Sequence, residues 1–219
     1  MKSKKILLKI LSAAIILCVA LFAFTACGDD AKDNNGGNNA GGENPADEGP
    51  VPQSFLKKAE TGERNNYGGS VGYEILVSTD IEVTAVGRPL NGEMNQAHTI
   101  YIWEVSSESL LASAEVKPDS PLDSLGFKTA QLSSPVILKA GQSYRIVSAE
   151  FVDGDAWYDV GTSADDPIPD LQPTDVAVIT TPAFTGEGAD AQKSYPGNEW
   201  NPGGIRGYVG ATFYYTVVE

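Results

Sequence analysis

The chain has 219 residues, 29 acidic against 15 basic, for a formal charge of −14. That balance excludes the clustered Lys and Arg with which proteins grip nucleic-acid backbones. Its single histidine and two cysteines, both within the first 27 residues, exclude a His- and Cys-rich zinc site and leave the rest of the chain no internal disulfide.

Residues 1–26 have the layout of a secretory leader. Lys2, Lys4, Lys5 and Lys9 precede an apolar run from Ile10 to Phe24 interrupted only by Ser12. The run fits the apolar region of a cleaved signal and falls short of the ~20 residues a spanning helix needs. Phe24-Thr25-Ala26-Cys27 resembles the lipobox of bacterial lipoproteins, with Phe24 in place of the usual aliphatic residue. The resemblance implies a lipid-modified, palmitate-type anchor on Cys27. Two acyl chains, at ~0.8 kcal/mol per buried CH₂, make a stable attachment where one would not. The chain is therefore expected on the extracytoplasmic face of the cell membrane, and loss of the leader's four lysines would take its formal charge from −14 to −18.

Residues 27–54 read as a tether that starts at the anchoring cysteine. Positions 28–54 hold six glycines, five asparagines, six acidic residues and three prolines, and Val51 is the only aliphatic side chain larger than alanine. Such a composition cannot bury a core. Residues 55–219 are then one globular domain, expected to be monomeric, and residues 55–66 are either a short helical turn or a loose lead-in.

From Val71 onward apolar residues recur with period two and Val, Ile, Thr, Tyr and Phe abound, the pattern of half-buried strands. Val71 to Val77 and Ile81 to Ala85 read as a hairpin around Ser78-Thr79-Asp80. His98 to Val105 and Leu110 to Val116 form a second pair around Ser106-Ser107-Glu108. Phe127 to Leu132, Pro135 to Lys139 and Gln142 to Phe151 follow, then short stretches at Trp157 to Val160 and Val176 to Thr180 and a last strand within Arg206 to Val218. Many short strands with frequent turn signals predict an all-β, antiparallel β-sandwich of jelly-roll or Ig-like topology.

The segments Ile81-Glu82-Val83-Thr84-Ala85-Val86-Gly87, Leu110-Leu111-Ala112-Ser113-Ala114 and Ser134 to Tyr144 together resemble the framework of a family of bacterial surface β-sandwich modules of unassigned function. They are also similar to the PHR-type sandwich. Members of the bacterial family often lie beside carbohydrate-active or adhesive domains. The resemblance implies a fold and a surface setting, and it carries no catalytic residue.

Candidate sites are few. His98, the lone histidine, has neither a cysteine nor a G-x-S-x-G elbow for company and reads as structural. Asp153, Asp155 and Asp159 surround Gly154, with Asp165, Asp166 and Asp170 beyond, an oxygen-rich set that a Ca²⁺ ion can use, although the EF-hand spacing fails. A glycosidase needs two carboxylates across a cleft, and in so acidic a chain pairs arise by chance, so the expectation is a protein that is not an enzyme. Aromatics in polar loops, Trp157, Tyr158, Tyr195 and Trp200, are the ligand-binding candidates. Their rings stack on sugar faces or anchor protein partners, and their alternative role is to plug the sandwich's end. A binding module for glycan or cell-wall polymer is expected first, and a protein-binding adhesin or surface-assembly component second.

Overall fold

The computed structural model describes residues 51–59, 62–90, 92–160, 175–199 and 207–219. Cys27, Asp165, Asp166, Asp170 and Trp200 lie outside the described residues. All described elements are strands apart from one 3-10 turn at Ala191–Lys193. They form an antiparallel β-sandwich.

One sheet has four strands in the order β1 (Gln53–Ser54), β11 (Thr212–Val217), β3 (Ile81–Pro89), β6 (Phe127–Leu138). The facing sheet has five, in the order β5 (Ser109–Val116), β4 (His98–Glu104), β7 (Ser143–Ala149), β2 (Ser70–Val77), β9 (Ala177–Phe184). A two-stranded ribbon of β8 (Tyr158–Val160) and β10 (Gly207–Val209) completes the set. The ribbon lies against β2 so closely that a Cβ on Gly207 would fall 2.8 Å from that of Tyr73.

The alternation read from the sequence is the inward face. Val71, Tyr73, Ile75 and Val77 are at most 3% exposed; the last three pack with Ile81, Val83, Ile100, Ile102, Ile146, Phe213 and Tyr215 in the main core, and Val71 packs with Trp157 and Tyr208. The described part of the lead-in bends into this core: Phe55 and Leu56 are 0% exposed, and Phe55 stacks on Phe213 at 4.7 Å. None of its described residues is helical.

Two connections cross between the sheets, and the first departs from expectation. Ser78-Thr79-Asp80 is not a hairpin turn, because β2 and β3 belong to different sheets. The same holds for Lys139 to Gln142, between β6 and β7. Period-two burial fixes which side chains point inward, and both leaves of a sandwich share that pattern, so alternation cannot tell an arch from a hairpin. The two arches hold each other. Asp80 accepts from the Ala140 amide and the Lys139 ammonium, each at 2.8 Å, and the Gly141 amide donates to Val77 O at 2.8 Å.

β6 merges the two strands expected at 127–132 and 135–139. Its register against β3 shifts between Val83 and Ala85, opposite Leu132 to Pro135, and Pro135 is tolerated because β6 is an edge strand. The final stretch, by contrast, splits at Gly210. A Cβ there would sit 2.6 Å from Glu150 Oε1 and 3.1 Å from Ser148 Cβ, so a larger residue would have to push the buried Glu150 side chain aside.

Candidate functional site

A recess of about 80 Å³ opens beside the ribbon, lined by Arg64, Tyr67, Val71, Trp157, Phe184 and Tyr208. Arg64 pairs with Trp157 through a single antiparallel bridge, which brings its side chain back across the ribbon. Its guanidinium carbon is 5.5 Å from the ring centres of both Trp157 and Tyr208, and Nη1 donates to Asp159 Oδ2 at 3.0 Å. Trp157 and Asp159 are two apart on one extended segment and therefore share a face, so one arginine engages both. Tyr67 and Phe184 meet edge to face at 6.2 Å, Phe184 and Tyr208 at 6.3 Å, and the Tyr67 hydroxyl donates to Thr185 O.

The electrostatics of the recess are close to neutral. Asp159 balances Arg64 at its margin. Burial pushes the Tyr67 phenol up, helped by Glu187, and burial also raises Tyr208 against the opposing pull of Arg64. Both phenols stay protonated at neutral pH. Trp157 Nε1 and Asp159 Oδ1 are buried without a hydrogen-bond partner among the described residues, one donor and one acceptor. An aromatic-walled recess with a charge-balanced edge offers stacking surface and directional polar groups, without a net field to attract an ion.

A second polar cluster lies at the end of the interior. Arg88, from the four-stranded sheet, donates to Glu150 Oε2 at 2.7 Å and to Asp155 O at 2.9 Å. His98 places Nδ1 2.7 Å from Ala149 O and Nε2 3.0 Å from Asp155 Oδ2. Nδ1 also lies 3.3 Å from Glu150 Oε2. The Asp155 carboxylate also accepts from the Asn95 and Gln96 amides and from Asn95 Nδ2. Burial alone pushes its carboxyl up, but the bonds from His98, Asn95 and Gln96 outweigh that and hold it below the usual carboxylate range. The side chains of all four charged or chargeable partners are at most 6% exposed, which makes this group a clamp between the sheets, closed to solvent.

The sequence-derived candidates separate. Trp157, expected as an exposed binding face, is 1% exposed and forms the floor of the recess, packed with Val71 and Tyr208. Its neighbours are bulky enough to cover the whole indole, which its place in a polar loop does not reveal. Tyr158 is half-buried and packs on the main core. Tyr195 lies elsewhere, on the outer face of the five-stranded sheet, edge-on to Trp103 at 6.0 Å and under the Arg145 guanidinium at 5.1 Å. Trp157 and Tyr195 thus occupy separate clusters and do not share a site.

Asp153, Asp155 and Asp159 do not assemble the Ca²⁺ site that their spacing allowed. Asp153 turns the backbone at φ 60°, Asp155 is taken up by His98 and Asn95, and Asp159 by Arg64. Among the described residues no group of three or more His, Cys, Asp or Glu side chains could hold a metal ion. The recess residues that the sequence reading passed over are Arg64, Tyr67, Phe184 and Tyr208. Tyr67 carried a signal: it sits between Asn65-Asn66 and Gly68-Gly69, a loop aromatic as conspicuous as Trp157.

A family model described as "Domain of unknown function (DUF4082)" matches residues 57–202. No curated protein matches the chain.

Proposed function

Since the chain belongs to the DUF4082 family, whose description specifies a domain and leaves its role open, we propose from the geometry that this member is a binding module for glycan or cell-wall polymer, tethered to the extracytoplasmic face of the membrane through an acylated Cys27. The observation that carries the proposal is the recess at Arg64, Tyr67, Phe184 and Tyr208. Tyr67 and Phe184 supply ring surface for the C–H face of a sugar, and the Arg64–Asp159 pair supplies donor and acceptor at one edge. At about 80 Å³ the recess takes a ring substituent or chain end more readily than a whole chain.

The test is titration of the full chain in detergent with a β-1,4-linked N-acetylglucosamine tetramer, read by tryptophan emission and by calorimetry. Trp157 floors the recess, so its emission changes on binding, and Tyr67→Ala weakens affinity by roughly tenfold, the ~1–1.5 kcal/mol of one aromatic contact. Silence in both readouts, repeated across a glycan array, sinks the proposal.

A further inference from the structure

The outer face of the four-stranded sheet carries a groove of about 280 Å³, larger than the recess and separate from it, lined by Thr84, Ala85, Asp123, Thr129, Gln131 and Tyr214 together with Pro52. These residues come from β3, β6 and β11 and the loop before β6, so the groove crosses three adjacent strands.

Tyr214 is its organising side chain. Its inward neighbours on β11, Phe213 and Tyr215, belong to the core, so alternation turns Tyr214 outward. Its cross-strand partner is Ala85, and a Cβ added to nearby Gly87 would lie 3.1 Å from Tyr214 Cε2. A methyl group and a bare glycine therefore let the phenol ring lie down along the sheet. The hydroxyl is pinned as well: it donates to Asp123 Oδ2 at 2.6 Å, while Asp123 Oδ1 accepts from the Leu125 and Phe127 amides at 2.9 and 2.8 Å. Both ends of the ring are fixed before any ligand arrives, which removes part of the ordering cost of binding.

The groove's charge is accounted for. Asp123, its one acidic lining group, already serves three donors; the Thr84 hydroxyl and the Gln131 amide can both donate and accept, and the Thr129 hydroxyl, which donates to Pro121 O at 3.4 Å, keeps its acceptor side. The chain's formal charge of −14 opposes a polyanion.

We infer that this groove is a second binding site, for an uncharged, hydroxyl-rich chain such as a neutral polysaccharide, with the Tyr214 ring as its stacking platform and Thr84, Thr129 and Gln131 as its hydrogen-bonding rim. The inference shares its ligand class with the function proposed above and none of its residues.

The experiment is calorimetric titration of the full chain in detergent with a β-1,4-linked glucose hexamer, beside Tyr214→Ala, Gln131→Ala and Tyr67→Ala. Gln131 is exposed, so its variant tests the site even if Tyr214→Ala unfolds. The expected result is affinity lowered tenfold or more in Tyr214→Ala and severalfold in Gln131→Ala, with tryptophan emission constant because no lining residue is tryptophan. That pattern supports the groove even if the recess fails its own test. Affinity unchanged in both groove variants but lost in Tyr67→Ala overturns the groove and leaves the recess standing. No heat from the wild-type chain with this hexamer overturns the groove, and none with the N-acetylglucosamine tetramer either removes both sites.

Discussion

The guanidinium of Arg88 and the carboxylate of Glu150 face each other from opposite sheets at 2.7 Å, with side chains 1% and 0% exposed. Such a pair has given up its hydration on both sides, so its members are worth far more together than apart. Arg88→Met alone leaves the buried Glu150 carboxylate without its 2.7 Å partner, with only the His98 ring at 3.3 Å beside it, and should cost about 3–5 kcal/mol. The double variant Arg88→Met/Glu150→Leu should recover much of that loss. Urea unfolding of the two variants checks both statements, and equal instability would show that the charge pair is not what matters there.

Asp155 predicts an acid-sensitive end to the sandwich. Its folded-state carboxyl is held below its ordinary value, so the unfolded chain takes up its proton first as pH falls. The stabilisation is fully present above the ordinary value near 3.9 and is lost as pH drops through the lowered one. The stability difference between wild type and Asp155→Asn should therefore be largest near neutrality and shrink below about pH 4. Urea midpoints at pH 7 and pH 3 measure it, and a constant difference would refute the linkage.

Gly141 sits in the left-handed region at φ +74°, in one of the two arches, with open space where a Cβ would go. The cost of Gly141→Ala is then backbone strain alone, about 1–2 kcal/mol. Gly141→Asn should cost less, because asparagine tolerates this region. Thermal unfolding ranks the three proteins, and the opposite order would contradict the assignment.

Cys27→Ser removes the thiol that the proposed anchor requires. Metabolic labelling with a palmitate analogue should mark the wild type and miss the variant, and the variant should leave the membrane fraction. Label retained by the serine variant would place the lipid elsewhere.

How much of this was legible in the sequence depends on the length scale of each feature. Which face of each strand turns inward is a local property, and Val71, Tyr73, Ile75 and Val77 announced it two residues at a time. Which sheet the next strand joins is not local, so Ser78 to Asp80 read as a hairpin when it is an arch. The charged clamp was hidden for the same reason. Arg88, 62 positions before Glu150, looks like an ordinary surface residue until the sheets are superposed.

The sites follow that division. Trp157 drew notice because acidic residues flank it, yet those neighbours turn to Asn95, His98 and Arg64 and the indole turns inward. Tyr67 and Tyr214, both half-buried, line the two depressions instead. Tyr214 is in principle readable, as the middle member of Phe213-Tyr214-Tyr215, where alternation must send one aromatic outward. Its pinning by Asp123, 91 positions away, is not.

The domain's first strand decides where mechanical tension would enter. Gln53 and Ser54 pair with Tyr215 and Tyr214, and Phe55 and Leu56 follow at once into the sealed interior. A tug on the preceding chain first peels away that two-residue strand. It then meets two side chains lodged among the rings of the core, so the outermost strand acts as a sacrificial seam and the remainder of the fold is spared.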